Sequence, residues 1–392
     1  MRLVEMPVMN VLPGMFVAEL DRPWLETPFA VQGFVVRDDD DVLYMSRYVE
    51  RVYVDVEYRG SDIFLHYDRK AVGHRKDTLE LKAQFDQGAV HFEAAADTLD
   101  RVFNSLADHR NTDIEQVRNA VDPLIQGVFS NKNAMAALAR LKKKSNYRYS
   151  HGVSMAVWAA ILGQHLGLQK DELENLVVGC AMCDVGMARL PEELLNSPAE
   201  LDARNRRLIT AHTRIGVEMV KSYGEDSFDI LSIIDNHHER HDGSGYPRGL
   251  SGASIPLSAR IAGLVDTYDA MISDRPYAPA RTSFEAILEI IDMADNLFQK
   301  ALVEQFVQAI GMFPVGTLVE LSSDEVAIVI AQNETRRLRP EVLVVMDADK
   351  NLLTQPLAMD LAEMTGGQRD AIWIKRELPR GTYGVNNEDY FI

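Results

Sequence analysis

The chain has 392 residues and a formal net charge of −18, from 41 Lys and Arg against 59 Asp and Glu. This length suits about two or three domains, and the acidic balance argues against binding to nucleic-acid polymers or anionic membranes. The 2 cysteines exclude a disulfide scaffold and fit a reducing compartment. The chain has no apolar run long enough to span a membrane and no secretion signal at its N-terminus, so we expect a cytoplasmic protein.

The first part of the chain alternates apolar and polar residues, as in Val52 to Val56, which is typical of strands. We therefore predict a small β-rich domain over residues 1–66, followed by a polar linker over 67–80. Apolar residues then recur at three-and-four spacing, which is typical of helices. This pattern predicts a helical connector over 81–130.

Helical periodicity continues through the middle of the chain, for example in the apolar stripe that includes Val153 and Val157. Near the C-terminus the period drops to two, as in Val326 to Ile330, which indicates strands. The predicted fold class is mainly α. An all-α domain over 131–315 is expected between the N-terminal strand-rich domain and a short β extension over 316–392.

The segment from His237 to Pro247, HHERHDGSGYP, packs ionisable side chains around a Gly-x-Gly turn. Burying such groups without partners is costly, so a metal ion is the simplest way to hold them together. Further imidazoles and carboxylates lie on separate predicted helices. The complete set of candidate ligands is His151, Asp184, His212, His237, His238 and Asp266.

This set of candidate ligands predicts hydrolytic metal chemistry. Imidazoles with a few carboxylates suit Fe, Mn, Zn or Ni, and a carboxylate that bridges two ions is typical of sites that cleave phosphodiesters. His212 lies on an apolar helix face beside Ile209 and Ile215, so a hydrogen-bonded core residue is an open alternative there. The adjacent pair His237 and His238 favours ligation.

These motifs resemble the HD-GYP family, the bacterial HD-type phosphohydrolases that hydrolyse cyclic di-GMP. The resemblance spans residues 130–315, and a small domain similar to the N-terminal unit is commonly fused ahead of such modules. It implies an HD-type helical bundle that binds two divalent metal ions. It also implies that Asp184 is the bridging carboxylate central to catalysis and that Arg275 contacts a phosphate of the ligand.

The chain departs from the family pattern at one motif. Where the family has His-Asp-x-Gly-Lys, this chain has Cys183, Asp184 and Met187 at the His, Asp and Lys positions. Cys183 can supply a thiolate as a replacement metal ligand. Met187 cannot stabilise developing negative charge, and loss of one such donor typically slows a reaction about a hundred- to a thousandfold. Tyr147 stands where a family subset has the Glu of a third metal site, so a binuclear centre is expected.

Cys180 and Cys183 lie one helical turn apart, a spacing that would also suit a redox pair. Their apolar context, Leu176 to Met182, is instead typical of the interior of a buried helix. We therefore interpret Cys180 as a small core residue.

The loop that gives the family its name is formed here by Asp242, Gly243, Gly245, Tyr246 and Pro247. In the family this segment is implicated in contacts with diguanylate cyclase domains. Glycines permit unusual backbone conformations and proline stiffens a turn, so the loop is also suited to form a pocket wall.

Two functions from different classes stay open at this point. The first is a metal-dependent cyclic di-GMP phosphodiesterase, attenuated by the altered motif. The second is a catalytically inactive module that acts in signalling as a cyclic di-GMP receptor or as a protein-interaction adaptor. Hydrolysis of another phosphoester is a third option, because a fold does not determine a substrate. A homodimer is compatible with either function.

Overall fold

The structure is a computed structural model in which two compact units, residues 1–74 and 75–392, are distinguished. It describes residues 3–22, 34–36, 42, 45–46, 48–55, 74–108, 110, 113–141, 147–195, 202–274, 280–333, 336, 338–363 and 372–391. Within these ranges no helix combines the length and the apolar character needed to cross a membrane.

The first unit is built on a four-stranded antiparallel sheet in the order β1-β4-β2-β3. Its strands are β1 Leu3–Pro7, β2 Phe16–Leu20, β3 Phe34–Val35 and β4 Arg51–Asp55. Val52 and Val54 of β4 are buried while Arg51 is exposed, as the period of two along a strand requires. The predicted strand-rich N-terminal domain is therefore confirmed.

Helices dominate the rest of the chain. They are α1 His74–Ala107, α2 Glu115–Leu141, α3 Tyr147–His165, α4 Lys170–Met182, α5 Glu192–Leu195, α6 Ala203–Thr210, α7 His212–Lys221, α8 Phe228–Asn236, α9 Leu257–Met271, α10 Ser283–Asp292 and α11 Lys300–Ile310. Helix α1 begins within the segment 67–80 that the sequence predicts as a linker. Helix α2 is interrupted at Asn131, where the predicted connector meets the predicted all-α domain.

Helix α3 lies at the centre of the bundle and packs against α2, α4, α9 and α11. Val153, Val157 and Trp158 in this helix are completely buried. A helix that is apolar on most of its circumference must be surrounded by others, which explains this central position. A 3-10 segment, Val185–Arg189, follows α4 and packs against α7, so the ends of several helices converge at one place.

The C-terminal region of the second unit is a five-stranded sheet in the order β8-β7-β6-β5-β9. Its strands are β5 Leu318–Leu321, β6 Val326–Ala331, β7 Glu341–Met346, β8 Leu352–Asp360 and β9 Ile374–Glu377. Glu377 accepts hydrogen bonds from the backbone amides of Ser283 and Phe284 at 3.0 and 2.7 Å, and Arg140 pairs with it at 3.4 Å. These contacts attach the sheet to α10 and α2. The predicted class, mainly α with strand-rich regions at both ends, is confirmed.

Candidate metal centre

The structure brings the six predicted ligands into one cluster. His151 comes from α3, Asp184 from the residue between α4 and the 3-10 segment, His212 from the start of α7, His237 and His238 from the end of α8, and Asp266 from α9. Within this cluster, Asp184, His212, His237 and His238 offer ligand atoms that all lie within 4.8 Å of one another. Residues far apart in the chain thus form a possible cation site.

Two glycines permit the backbone to approach closely enough to build this cluster. A side-chain carbon on Gly186 would collide with the carbonyl oxygen of His212, and one on Gly263 would collide with the carbonyl oxygen of His237. The segment after Asp184 can therefore lie against α7, and α9 can lie against the end of α8. Larger residues at these two positions would push the ligands apart.

The hydrogen bonds of His212 and His237 determine which ring nitrogen faces the centre. His212 Nδ1 lies 2.6 Å from the Ile209 carbonyl oxygen, and His237 Nδ1 lies 3.1 Å from that of Ile233. Since a carbonyl can only accept, each Nδ1 carries the proton, and Nε2 of the neutral ring is an acceptor. The two Nε2 atoms face each other at 3.4 Å.

Asp184 adds a third acceptor to this pair, since its Oδ1 lies 3.3 Å from His212 Nε2 and 3.7 Å from His237 Nε2. Acceptors this close repel one another unless a proton or a cation lies among them. Burial would raise the pKa of the Asp184 carboxyl, but hydrogen bonds with His212 and His237 hold that pKa well below its usual range. Burial would lower the pKa of His212, but Asp184 raises it. A divalent cation can replace the proton here, so the donor set fits a metal.

His151 and Asp266 form the other side of the cluster. His151 Nε2 lies 3.1 Å from Asp266 Oδ1 and 4.0 Å from Asp184 Oδ2, and His238 Nδ1 lies 3.8 Å from Asp266 Oδ2. Burial and the neighbouring His237 lower the pKa of His238 well below its usual range, so this imidazole is neutral, as a metal ligand must be. Asp184 therefore turns Oδ1 to one group of ligands and Oδ2 to another, as a bridging carboxylate must.

The altered motif places a sulfur beside this cluster. Cys183 is buried, and its Sγ lies 3.5 Å from Met155 Sδ. Burial and the nearby carboxylates of Asp184 and Asp266 raise the pKa of the Cys183 thiol, so the metal-free protein holds a thiol here and not a thiolate. Cys180 is also buried, within α4. Coordination by Cys183 stays a prediction.

The name-giving loop folds back onto the centre through Tyr246. The Tyr246 ring lies against the His238 ring with a centroid distance of 4.7 Å and an angle of 32° between the planes. A side-chain carbon on Gly245 would collide with the backbone from His238 to Arg240, so only glycine fits at that position. Tyr246 is therefore placed as a wall of the cluster.

The base of the loop is held by buried and local hydrogen bonds. Glu239 is buried, and its carboxylate accepts from the backbone amides of Arg248 at 2.8 Å and Leu250 at 2.9 Å. Asp242 Oδ1 accepts from the backbone amide of Ser244 at 2.9 Å and from its hydroxyl at 2.6 Å. The side chains at the loop tip, Asp242 and Ser244, are exposed.

Two residues of the site were not predicted from the sequence. Asp269 Oδ2 lies 2.7 Å from His151 Nδ1, and Trp158 Nε1 donates to Asp269 Oδ1 at 3.2 Å. The three-residue spacing from Asp266 places Asp269 on the same face of α9, and this spacing is the sequence signal that could have identified it. Arg275, the predicted phosphate contact, lies outside the described residues.

Family models match three consecutive parts of the chain. Residues 126–302 match a model described as HD domain, residues 3–117 match a domain of unknown function (DUF3391), and residues 318–366 match a KOW domain associated with HD domain. The fold and the His/Asp cluster thus define an HD-domain protein. The match of residues 126–302 and the names of the relatives below agree with the resemblance of the motifs to the HD-GYP family.

Proteins similar to this chain carry names of cyclic-dinucleotide phosphodiesterases. Cyclic di-GMP phosphodiesterase PA4108 of Pseudomonas aeruginosa is 28% identical over 381 residues, which cover 94% of this chain and 91% of that protein. Cyclic di-GMP phosphodiesterase response regulator RpfG of Xanthomonas campestris is 33% identical over 43% of this chain and 46% of its own length. 3'3'-cGAMP-specific phosphodiesterase 2 of Vibrio cholerae is 29% identical over 45% of this chain and 36% of its own length.

The chain therefore spans most of the first relative and less than half of the other two. Among solved structures, Bd1817, a HDG"Y"P protein from Bdellovibrio bacteriovorus, matches with a TM-score of 0.48 and 14% identity. That match covers 78% of this chain and 98% of the other.

Proposed function

We propose that this protein is a metal-dependent phosphodiesterase that hydrolyses cyclic di-GMP. The observation that carries the proposal is the placement of Asp184, whose two oxygens face His212 and His151 on opposite sides of one cluster. A carboxylate shared in this way is the usual centre of a two-metal site for phosphodiester cleavage. The names of the relatives support the choice of a cyclic dinucleotide as substrate.

Two divalent ions, Fe, Mn, Zn or Ni, are proposed to share Asp184. One would be held by the group Asp184, His212, His237 and His238, and the other by Asp184 with His151 and Asp266, with Cys183 as a further candidate ligand. Such a pair of ions supplies a nucleophile at neutral pH and offsets the negative charge of the phosphate.

The residues of this chain prepare the site in three ways. Although burial would raise the pKa of both carboxyls, contacts with histidines hold the pKa values of Asp184 and Asp266 below their usual range, so both are ionised at neutral pH. Backbone carbonyls orient the rings of His212 and His237. Tyr246 covers the face of His238 and restricts the access of water to it. Arg275 is proposed to contact a phosphate of the substrate.

The altered motif favours a second candidate function. The Cys183 thiol contacts Met155, and Met187 stands where the HD-GYP pattern has a lysine. These two replacements support a catalytically inactive receptor for cyclic di-GMP or an adaptor in signalling. In that case the exposed loop tip at Asp242 and Ser244 is a proposed contact for diguanylate cyclase domains, and a homodimer is a proposed assembly. A cytoplasmic location stays a prediction of the composition.

One experiment separates the two candidates. The full chain is loaded with Mn or Fe, its metal content is measured, and the same preparation is incubated with cyclic di-GMP. Turnover above that of Asp184→Asn supports the phosphodiesterase, and chromatography then distinguishes a linear dinucleotide from GMP as product. Calorimetric binding of the nucleotide without turnover favours the receptor, and metal-loaded protein with neither binding nor turnover contradicts both.

A further inference from the structure

Asp269 is a buried carboxylate that lies beside the proposed metal centre without being one of its ligands. Asp269 lies on α9, three residues beyond Asp266, and only 1% of its surface is exposed. An ionised side chain is rarely buried unless both of its oxygens are satisfied. The partners of Asp269 therefore show what it does.

Both oxygens of Asp269 accept hydrogen bonds from donors on α3. His151 Nδ1 lies 2.7 Å from Oδ2, and Trp158 Nε1 lies 3.2 Å from Oδ1. The indole N–H can only donate and an ionised carboxylate can only accept. His151 therefore carries a proton on Nδ1, and a metal ion can take the place of a proton on Nε2, which faces the carboxylate of Asp266.

The other ring nitrogen of His151 points at the two carboxylates of the cluster. Nε2 lies 3.1 Å from Asp266 Oδ1 and 4.0 Å from Asp184 Oδ2. Backbone carbonyl oxygens accept from Nδ1 of His212 and His237, whereas the Asp269 carboxylate accepts from Nδ1 of His151. A carboxylate behind an imidazole fixes the ring and also increases its basicity as a ligand.

We propose that Asp269 is a positioning residue for the His151 side of the metal centre. It holds His151 in the tautomer and orientation in which Nε2 binds the ion shared with Asp266 and Asp184, and Trp158 holds Asp269 in turn. This inference rests on the metal centre of the proposed function but not on its substrate. The hydrogen bonds among His151, Asp269 and Trp158 thereby support metal binding and do not serve only to stabilise the core.

The test is the metal affinity of Asp269→Asn in the full chain. Asparagine has one acceptor oxygen in place of two, so either His151 or Trp158 loses its partner, and an amide N–H facing Nδ1 would force the other tautomer of His151. We expect the affinity for one of the two ions to fall by about 10- to 100-fold, the range seen when such outer partners are removed. The ion of the group Asp184, His212, His237 and His238 should bind as before.

Affinities are measured by competition with a chelator, and stoichiometry by elemental analysis, with Mn or Zn as the probe. Asp292→Asn is the matched control, because it makes the same chemical change at an exposed carboxylate at the end of α10. This control should bind both ions with wild-type affinity.

A rescue variant separates positioning from simple core stability. In Trp158→Phe with Asp269→Asn, the competing donor is gone, so the amide oxygen can accept from His151 Nδ1. We expect the metal affinity of this double variant to be close to that of Trp158→Phe alone. If Asp269→Asn alone does not fold, the double variant is compared with Trp158→Phe plus Asp269→Ala, which leaves His151 Nδ1 without an acceptor; equal affinities in these two variants would overturn the proposal.

Unchanged affinity for both ions in Asp269→Asn would overturn the proposal. Equal weakening of both ions with no recovery in the double variant would also overturn it, because that pattern is expected of a purely structural role. Hydrolysis is followed separately. A wild-type protein that binds both ions but does not cleave cyclic di-GMP would contradict the proposed activity, whereas the affinity comparison would still decide the role of Asp269.

Discussion

The two sides of the proposed metal centre differ in how completely their candidate ligands match the family pattern. On one side, Asp184, His212, His237 and His238 form a compact group, and the rings of His212 and His237 are oriented by backbone carbonyls. On the other side, His151 and Asp266 face Asp184 next to a buried thiol that contacts Met155. The ligands of each side come largely from different helices, with Asp184 shared. A substitution on one side is therefore expected to weaken one of the two proposed ion positions and to leave the other intact.

The largest effect is expected from Asp184→Asn, because it removes the carboxylate on which both sides depend. The asparagine amide has a neutral oxygen and a donor nitrogen, so neither group of candidate ligands keeps a negatively charged oxygen from residue 184. We expect both ions to bind more than about a hundredfold more weakly, a larger loss than outer-partner substitutions cause. Elemental analysis after dialysis against chelator measures this. Retention of two ions would show that Asp184 is not shared.

Restoring the family motif with Cys183→His and Met187→Lys should have the next largest effect. The new imidazole completes the His151 side, and the new ammonium can stabilise charge on the phosphate. We expect the turnover of cyclic di-GMP to rise by about a hundred- to a thousandfold, the usual contribution of one such donor. The single variant Met187→Lys is the control for the metal ligand. A rate that does not change would show that these positions do not limit activity.

The comparison between the two sides is sharpened by His212→Ala and His151→Ala. His212→Ala removes a candidate ligand of the compact group. His151→Ala removes a candidate ligand of the other side, next to Cys183. We expect each variant to lose most of one ion, with the more tightly bound ion lost in His212→Ala. Chelator titration of each purified variant shows which affinity has changed. If both variants lose the same ion, the two positions are not separate.

A smaller effect is expected in the pH dependence of stability of the metal-free protein. Asp184 raises the pKa of His212 above its ordinary value of 6.5, despite burial. This stabilisation is fully present below pH 6.5 and is lost as the pH rises through the raised pKa. The pKa of Asp184 is held below 3.8, so its contribution is present above pH 3.8 and is lost as the pH falls through the lowered pKa.

Urea unfolding at a series of pH values measures this effect, with His212→Gln as the reference. The free energy of unfolding of the wild type relative to this variant should be greatest between pH 3.8 and 6.5 and should decrease as the pH rises through the raised pKa of His212. Bound metal takes the place of the proton, so the decrease should be absent in the metal-loaded protein. A difference between the two proteins that is independent of pH would contradict the assigned contact.

The order of helical and strand-rich regions and the presence of a candidate metal site could be predicted from the sequence alone. The change of period from two to three-and-four and back predicts a helical bundle between strand-rich regions, because exposed and buried faces repeat with the geometry of each element. The clustered histidines predict a metal site, since groups such as His237 and His238 cannot be buried cheaply without partners. The family resemblance added the candidate ligands on the other helices, which stay a prediction.

Only the tertiary structure decided how these ligands are arranged and supported. The direction of a side chain depends on how its helix is rotated against its neighbours, and the sequence does not encode this locally. Packing of α3 against α9 pairs His151 with Asp269, and it is the fold that directs the Cys183 thiol to Met155. The division of Asp184 between two groups of ligands has the same origin, since its neighbours come from α3, α7 and α8 and meet only when the helices pack.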